Sequence, residues 1–147
     1  MLGVVGMEIL RPVAVLAGWT MVMWLWMYAT RIPAMSKAKV DVANLTGGTG
    51  KDLDAVLPPQ VQWISHNYNH LHEAPTVFYA MAITLALLGQ GGGWALIAAW
   101  LYVGLRIAHS LQQALSNRVV VRFGLFVLSS FALIALVAMA IYAVFSS

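Results

Sequence analysis

Two long stretches without a charged side chain restrict the fold of this chain more than any other feature. Val13 to Thr30 contains no charged residue, and neither does Phe123 to Phe145. About 20 apolar residues in a helix are enough to cross the ~30 Å hydrocarbon core of a bilayer. Only 9% of the residues are charged, whereas soluble domains carry about 25%. We therefore expect an all-α integral membrane protein.

The pattern predicts one domain over residues 1–147, a bundle of four transmembrane helices. Ala74 to Leu88 is too short to cross a bilayer alone, so the second helix must begin upstream and include a polar stretch. The glycine-rich segment 89–93 is a tight turn to the third helix. The expected helices are about 8–34, 62–88, 94–115 and 119–146, with a long loop at about 35–60.

Charge and cysteine usage limit the function classes. The basic residues are dispersed along the sequence and form no run that suits a nucleic acid, so a nucleic-acid partner is not expected. They concentrate on the side that holds the long loop and the turn after the third helix, which places that loop in the cytoplasm and both termini on the opposite side. There is no cysteine, so disulfides and thiolate metal sites are excluded, and any reacting thiol must belong to a substrate.

Polar side chains gather at one membrane depth, on the side of the long loop. The stretch "SHNYNHLHEAPTVFY" opens the second helix, and its polar residues face those at the end of the third. His66, His70 and Glu73 share one helical stripe, as do Arg106, His109 and Gln113. Ionisable groups inside a membrane protein normally face the bundle interior and have partners. We therefore predict an ion pair between Glu73 and Arg106.

Several interpretations of this polar cluster follow from the residues. It forms a pocket for an anionic or zwitterionic ligand, or it only caps helices and pairs charges. His66, His70, Glu73 and His109 are also plausible metal ligands, although a single cluster is fewer than a membrane di-iron enzyme would show, and we expect no metal. Glu73 as the proton site of a small four-helix transporter is a further alternative.

The chain also resembles a known family. Four spans, a long first loop, "NYNHLHEAPTVFYA" and "LRIAHSLQQALSNRVVVRFGLFVLS" are similar to the MAPEG family, the membrane-associated proteins of eicosanoid and glutathione metabolism. The similarity is greatest to bacterial members, which implies a bacterial inner membrane. It also implies a homotrimer, with glutathione as co-substrate between neighbouring subunits at the cytoplasmic side and a small hydrophobic substrate or lipid as the other ligand.

The resemblance assigns roles to individual residues. Arg122 matches the arginine that stabilises the glutathione thiolate, and the other matched or neighbouring polar residues are expected to bind glutathione: Arg31, His66, Asn69, His70, Glu73, His109 and Gln113. This chain has His70 where eukaryotic members have asparagine, and Gln113 where they have tyrosine. Phe123 and Phe126 replace a serine and a tyrosine of some relatives, so Arg122 would hold the thiolate alone unless Ser129 or Ser130 reaches it.

These observations predict a membrane-bound glutathione-dependent transferase or peroxidase that acts on lipophilic electrophiles. The alternative is a non-catalytic scaffold that binds a lipid or a thiol in the same pocket. The phenylalanines after Arg122 favour that alternative, since they cannot donate a hydrogen bond.

Overall fold

The computed structural model describes residues 5–146, which form helices, turns and one long loop without any strand. The helices are α1 (Leu10–Lys37), α2 (Pro59–His70), α3 (Ala74–Leu87), α4 (Gly93–Leu115) and α5 (Val119–Phe145), with short 3-10 helices at Met7–Ile9 and Gly50–Ala55. The prediction of an all-helical chain is therefore confirmed.

The second predicted helix, expected to be continuous over 62–88, is two helices. α2 ends at His70, and before α3 begins Glu73 adopts φ −92° and ψ −103°, outside the helical region. Pro75 accounts for the break, because it has no N–H to donate to the carbonyl of Leu71 and its ring would clash with that carbonyl in a continuous helix. The predicted helical stripe of polar residues is therefore interrupted between His70 and Glu73.

Three helical segments are long and apolar enough to cross a membrane, among the residues that the structure describes: Met7–Lys37, Gly93–Leu115 and Val119–Phe145. α3 has only 14 residues, which is about 21 Å at 1.5 Å per residue. α2 carries polar side chains along most of its length. The segment predicted to form the second crossing therefore does not have the length and composition of these three helices.

α4 lies at the centre of the bundle. It packs against α5 and α2 and also contacts α1 and α3. A hydrogen-bonded group around Ser110 ties it to two neighbours: Trp19 of α1 donates to the Ser110 hydroxyl at 3.0 Å, and Asn67 of α2 donates to it at 2.5 Å. The apolar core around these contacts includes Phe78 and Tyr102, whose rings stack at 4.8 Å.

The bundle has two dissimilar ends. The loop end carries the long loop, α2 and the turn between α4 and α5, and the terminal end carries the first described residues and the turn between α3 and α4. At the terminal end the 3-10 helix Met7–Ile9 lies against the glycine turn, and Ile9 is fully buried. A Cβ on Gly91 would overlap the backbone oxygen of Gly6. Glycine is needed there because the two backbones touch.

Candidate functional site

A cavity of about 430 Å³, which we call the Arg122 cavity, opens at the loop end between α2, α4 and α5. It is lined by His66, His70, Glu73, His109, Gln113, Val119, Arg122, Phe123 and Phe126. The predicted site residues of the second, third and fourth expected helices therefore line one cavity, except Asn69 and Arg106. The volume is within the ~300–1,000 Å³ of small-molecule sites.

Arg122 is held at the cavity wall by a residue of the preceding turn. Its Nη1 donates to the Oδ1 of Asn117 at 2.5 Å. Asn117 has φ 48°, in the left-handed region that asparagine tolerates better than most residues. One arm of the guanidinium is thus fixed, and its remaining donors are available to an anionic group in the cavity.

His70 and Glu73 form a hydrogen-bonded pair on either side of the helix break. Nδ1 of His70 lies 2.6 Å from Oε2 of Glu73. The side chain of Glu73 is 66% exposed and that of His70 is 26% exposed. The ring of His70 also lies beside the ring of His109, with centroids 5.3 Å apart. The cavity therefore holds a carboxylate, two neighbouring imidazoles and a guanidinium.

The predicted ion pair between Glu73 and Arg106 is not formed within the described chain. Glu73 contacts His70 instead, because the break after α2 turns it toward the exposed mouth of the cavity. Arg106 is 1% exposed, donates from Nε to the hydroxyl of Tyr102 at 3.1 Å, and lies over the ring of Phe126 at 5.4 Å. Its Nη2 is buried without a hydrogen-bond partner among the residues described.

Arg31 and Asn69 line a neighbouring cavity of about 510 Å³, which we call the Arg31 cavity. Arg31 donates to the Ser65 hydroxyl at 2.7 Å and to the Gly50 carbonyl at 2.8 Å, which ties the 3-10 helix of the long loop to α1 and α2. His66 lines both cavities. The chain by itself thus divides the predicted binding residues between two adjoining cavities.

Ser129 and Ser130 do not supply the hydroxyl that the sequence left open. Both donate to the carbonyl of Phe126, at 2.9 Å and 2.8 Å. Neither residue lines the Arg122 cavity. The cavity wall next to Arg122 is aromatic, and Phe123 is 64% exposed on the outer surface of α5. One side of the cavity is therefore apolar and faces the surroundings of the bundle.

Sequence reasoning missed three residues that hold the site in place. Asn117 fixes Arg122, Gln62 donates to the carbonyls of Asp54 and Leu57 at 2.5 Å and 2.6 Å, and Asp54 contacts Nε2 of His66 at 3.0 Å. The only sequence signal for Asn117 was its place in the short turn after the third predicted helix. Among the described residues, no group of three histidines or carboxylates is placed to hold a metal ion.

Comparison with known families gives one finding. A model of the MAPEG family matches residues 9–142, nearly the whole chain. Comparison with curated proteins and with solved structures gives no match. The resemblance inferred from the sequence is confirmed at the level of the family.

Proposed function

Because this chain belongs to the MAPEG family, we propose that it is a membrane-bound, glutathione-dependent transferase or peroxidase that acts on lipophilic electrophiles. Family membership and the three long apolar helices together indicate an integral membrane protein connected with glutathione or eicosanoid metabolism. The observation that carries the finer proposal is the Arg122 cavity, in which a guanidinium, two imidazoles and a carboxylate adjoin an exposed aromatic wall.

The cavity residues suit a thiol tripeptide that has carboxylates and an ammonium group. Arg122 and the imidazole of His109 can donate to carboxylates and peptide carbonyls, and Glu73 can accept from the ammonium. The amide oxygen of Gln113 is buried without a hydrogen-bond partner among residues 5–146, and a donor from a bound peptide would satisfy it. The donor and acceptor set of this cavity therefore fits glutathione.

Arg122 would stabilise the thiolate. A free thiol has a pKa of ~8.5, and a nearby guanidinium lowers the thiol pKa toward neutrality because it favours the charged form. The exposed Phe123 provides an apolar entrance on the outside of α5, through which an electrophile dissolved in the bilayer would reach the sulfur.

Thiolate absorbance of purified protein in detergent tests the catalytic role of Arg122. Glutathione added at neutral pH is expected to give a thiolate signal, and an activated aryl halide is expected to be conjugated. Arg122→Ala should abolish the thiolate signal, whereas Arg122→Lys should keep part of it because the positive charge remains. Bound glutathione without any thiolate signal in the unaltered protein would contradict this proposal.

We further propose that the functional unit is a homotrimer whose glutathione sites lie between subunits. The separation of Arg31 from Arg122 into two cavities supports this, because a neighbouring copy would bring an Arg31 cavity to an Arg122 cavity. The unpaired Nη2 of Arg106 is a further group that a neighbour or ligand would satisfy.

Mixed oligomers test this arrangement. Arg31→Ala and Arg122→Ala, each inactive alone, should regain part of the activity when the two variants are co-expressed, since some shared sites then contain both arginines. Sites contained within one subunit would show no such recovery. Measuring the mass of the purified complex tests the number of subunits directly.

The proposed topology has four crossings, with the second made by α2 and α3 together, the long loop in the cytoplasm of a bacterial cell and both termini across the inner membrane. The lack of native cysteine makes this directly measurable. A cysteine at Gly47 in the long loop should be shielded in intact cells from a membrane-impermeant maleimide, and one at Gln90 should be labelled. The reverse pattern would contradict the orientation.

The second candidate function is a non-catalytic protein that binds a thiol or a lipid in the same cavity. The observation in its favour is that Phe123 and Phe126 form the wall beside Arg122 while both nearby serines bond to a backbone carbonyl. If Arg122→Ala leaves ligand binding and the cellular role unchanged, this alternative replaces the enzyme.

A further inference from the structure

The Arg122 cavity contains a histidine whose orientation is set by a carboxylate. Nδ1 of His70 lies 2.6 Å from Oε2 of Glu73. An ionised carboxylate can only accept a hydrogen bond, so Nδ1 carries the proton and Nε2 of the neutral ring carries the lone pair. Nε2 makes no hydrogen bond to any residue in the described range 5–146 and lies on the opposite edge of a ring that lines the cavity.

We propose that His70, oriented by Glu73, is the general base that removes the proton from the thiol substrate. This inference rests on the proposed function and adds a group to it, since Arg122 stabilises a thiolate but has no lone pair to accept a proton. With both serines turned to the carbonyl of Phe126, no hydroxyl among the cavity-lining residues competes for that role.

The other two cavity histidines are less suited to the task. His66 also has a carboxylate at one ring nitrogen, since its Nε2 lies 3.0 Å from Asp54. However, Asp54 lines only the Arg31 cavity and holds His66 at the boundary between the two cavities. His109 is only 3% exposed, behind the ring of His70. His70 combines partial exposure to the cavity, an unengaged Nε2 and a carboxylate on its other nitrogen. That combination is the geometry of a base and its orienting group.

The reaction can be written in balance for conjugation to an aryl halide. The S–H proton passes to Nε2 of His70, and the resulting imidazolium is stabilised by the carboxylate of Glu73. The sulfur electron pair forms the bond to the aryl carbon, the carbon–halogen bond breaks, and its electron pair leaves with the halide. His70 then releases the proton to water. Glu73 is a positioning residue in this scheme, because it acts through the imidazole.

His70→Asn tests the base directly, since asparagine keeps a hydrogen-bonding side chain of similar reach without a titrating nitrogen. Glutathione affinity is expected to change by no more than about twofold, and conjugation at neutral pH is expected to fall about 100-fold, the lower part of the range for general acid–base catalysis. His72→Asn is the matched control, because His72 bonds to the Tyr68 carbonyl and lines neither cavity. It should leave turnover unchanged.

The pH dependence separates a base from a merely structural histidine. The groups that face His70 are Glu73 beside the break, His109 from α4 and Arg122 from α5, and His66 lies on the same cavity wall. His70→Asn should leave a rate that rises only at alkaline pH, as the thiol itself ionises. Glu73→Gln should give a smaller loss, and imidazole added to His70→Ala should restore part of the rate.

The outcomes are distinguishable. If the unaltered protein binds glutathione but neither ionises its thiol nor conjugates it, the proposed function and this inference are both wrong. If the unaltered protein is active and His70→Asn keeps its rate and its pH profile, the inference alone is overturned. Loss of binding in His70→Asn, with turnover per bound thiol unchanged, also overturns it, because His70 would then be a ligand contact only.

Discussion

The two ends of the bundle both contain a hollow, but the hollows differ in chemistry. At the loop end the Arg122 cavity of about 430 Å³ is lined by three histidines, a glutamate and an arginine. The terminal-end cavity of about 360 Å³ is lined by uncharged residues that include Gln90, Trp94 and Tyr142. Beside it, glycine backbones pack against each other without space for a side chain. Similar volumes therefore do not imply similar roles: we expect substitutions at the loop end to alter chemistry and those at the glycine turn to alter stability.

The largest expected effect is at Arg122. Arg122→Ala should lower turnover by about 10²–10³-fold, the loss typical when one donor to a developing negative charge is removed, while the melting temperature in detergent stays close to that of the parent. Arg118→Ala is the matched control, because Arg118 is exposed in the turn just before α5 and does not line the cavity. Equal losses of turnover in the two variants would mean that only the overall charge of this end matters.

An intermediate effect is expected at the terminal end. Gly91→Ala should destabilise the protein by about 1–3 kcal/mol, as overpacking does, because the added Cβ meets the Gly6 carbonyl and the side chain of Ile9. Thermal unfolding in detergent measures this, and turnover per folded molecule should not change. A Cβ on Gly92 has no neighbour within 4 Å, so Gly92→Ala provides the control.

The expected difference between the two ends would be contradicted if Gly91→Ala left stability unchanged but reduced turnover. Such a result would mean that a change in the glycine turn alters the geometry of the Arg122 cavity. Similar unfolding temperatures for Gly91→Ala and Gly92→Ala would show that the 3-10 helix Met7–Ile9 moves aside easily.

The smallest expected effect concerns the contact between the long loop and α2. Asp54→Asn removes the charge that faces His66 in a partly exposed pair, and such pairs contribute about 0–1 kcal/mol. Limited proteolysis of the loop is a suitable measurement, because loss of the contact should speed cleavage near residues 50–55 with little change in global unfolding. Asp41→Asn is the control, at a carboxylate whose one hydrogen bond within the described part of the chain is to Asn44 of the same loop.

The sequence predicted the family and the all-helical fold, because uncharged stretches and local motifs carry that information directly. The sequence also predicted that His70, His109 and Arg122 lie close together. Residues at equal depths on neighbouring antiparallel helices meet when the connecting turns are short. Their roles remain predictions.

The remaining details depend on backbone geometry that the pattern does not encode. The sequence predicted one helix that continues through Pro75, and only the structure shows that α2 ends at His70 and that Glu73 turns toward His70. The contact of Asn117 with Arg122 depends on a positive φ in a three-residue turn. The position of Arg31 depends on the fold of a long loop with no apolar periodicity.

The break before Pro75 has a consequence for how membrane crossings are counted. A hydropathy count of the helical segments gives three crossings, an odd number, which would put the two ends of the chain in different compartments. If α2 and α3 act together as a crossing, the number becomes even and both ends share one compartment. Whether α2 and α3 cross together despite the break therefore decides the parity of the topology, and with it whether tags placed at the two ends would be reached by the same protease.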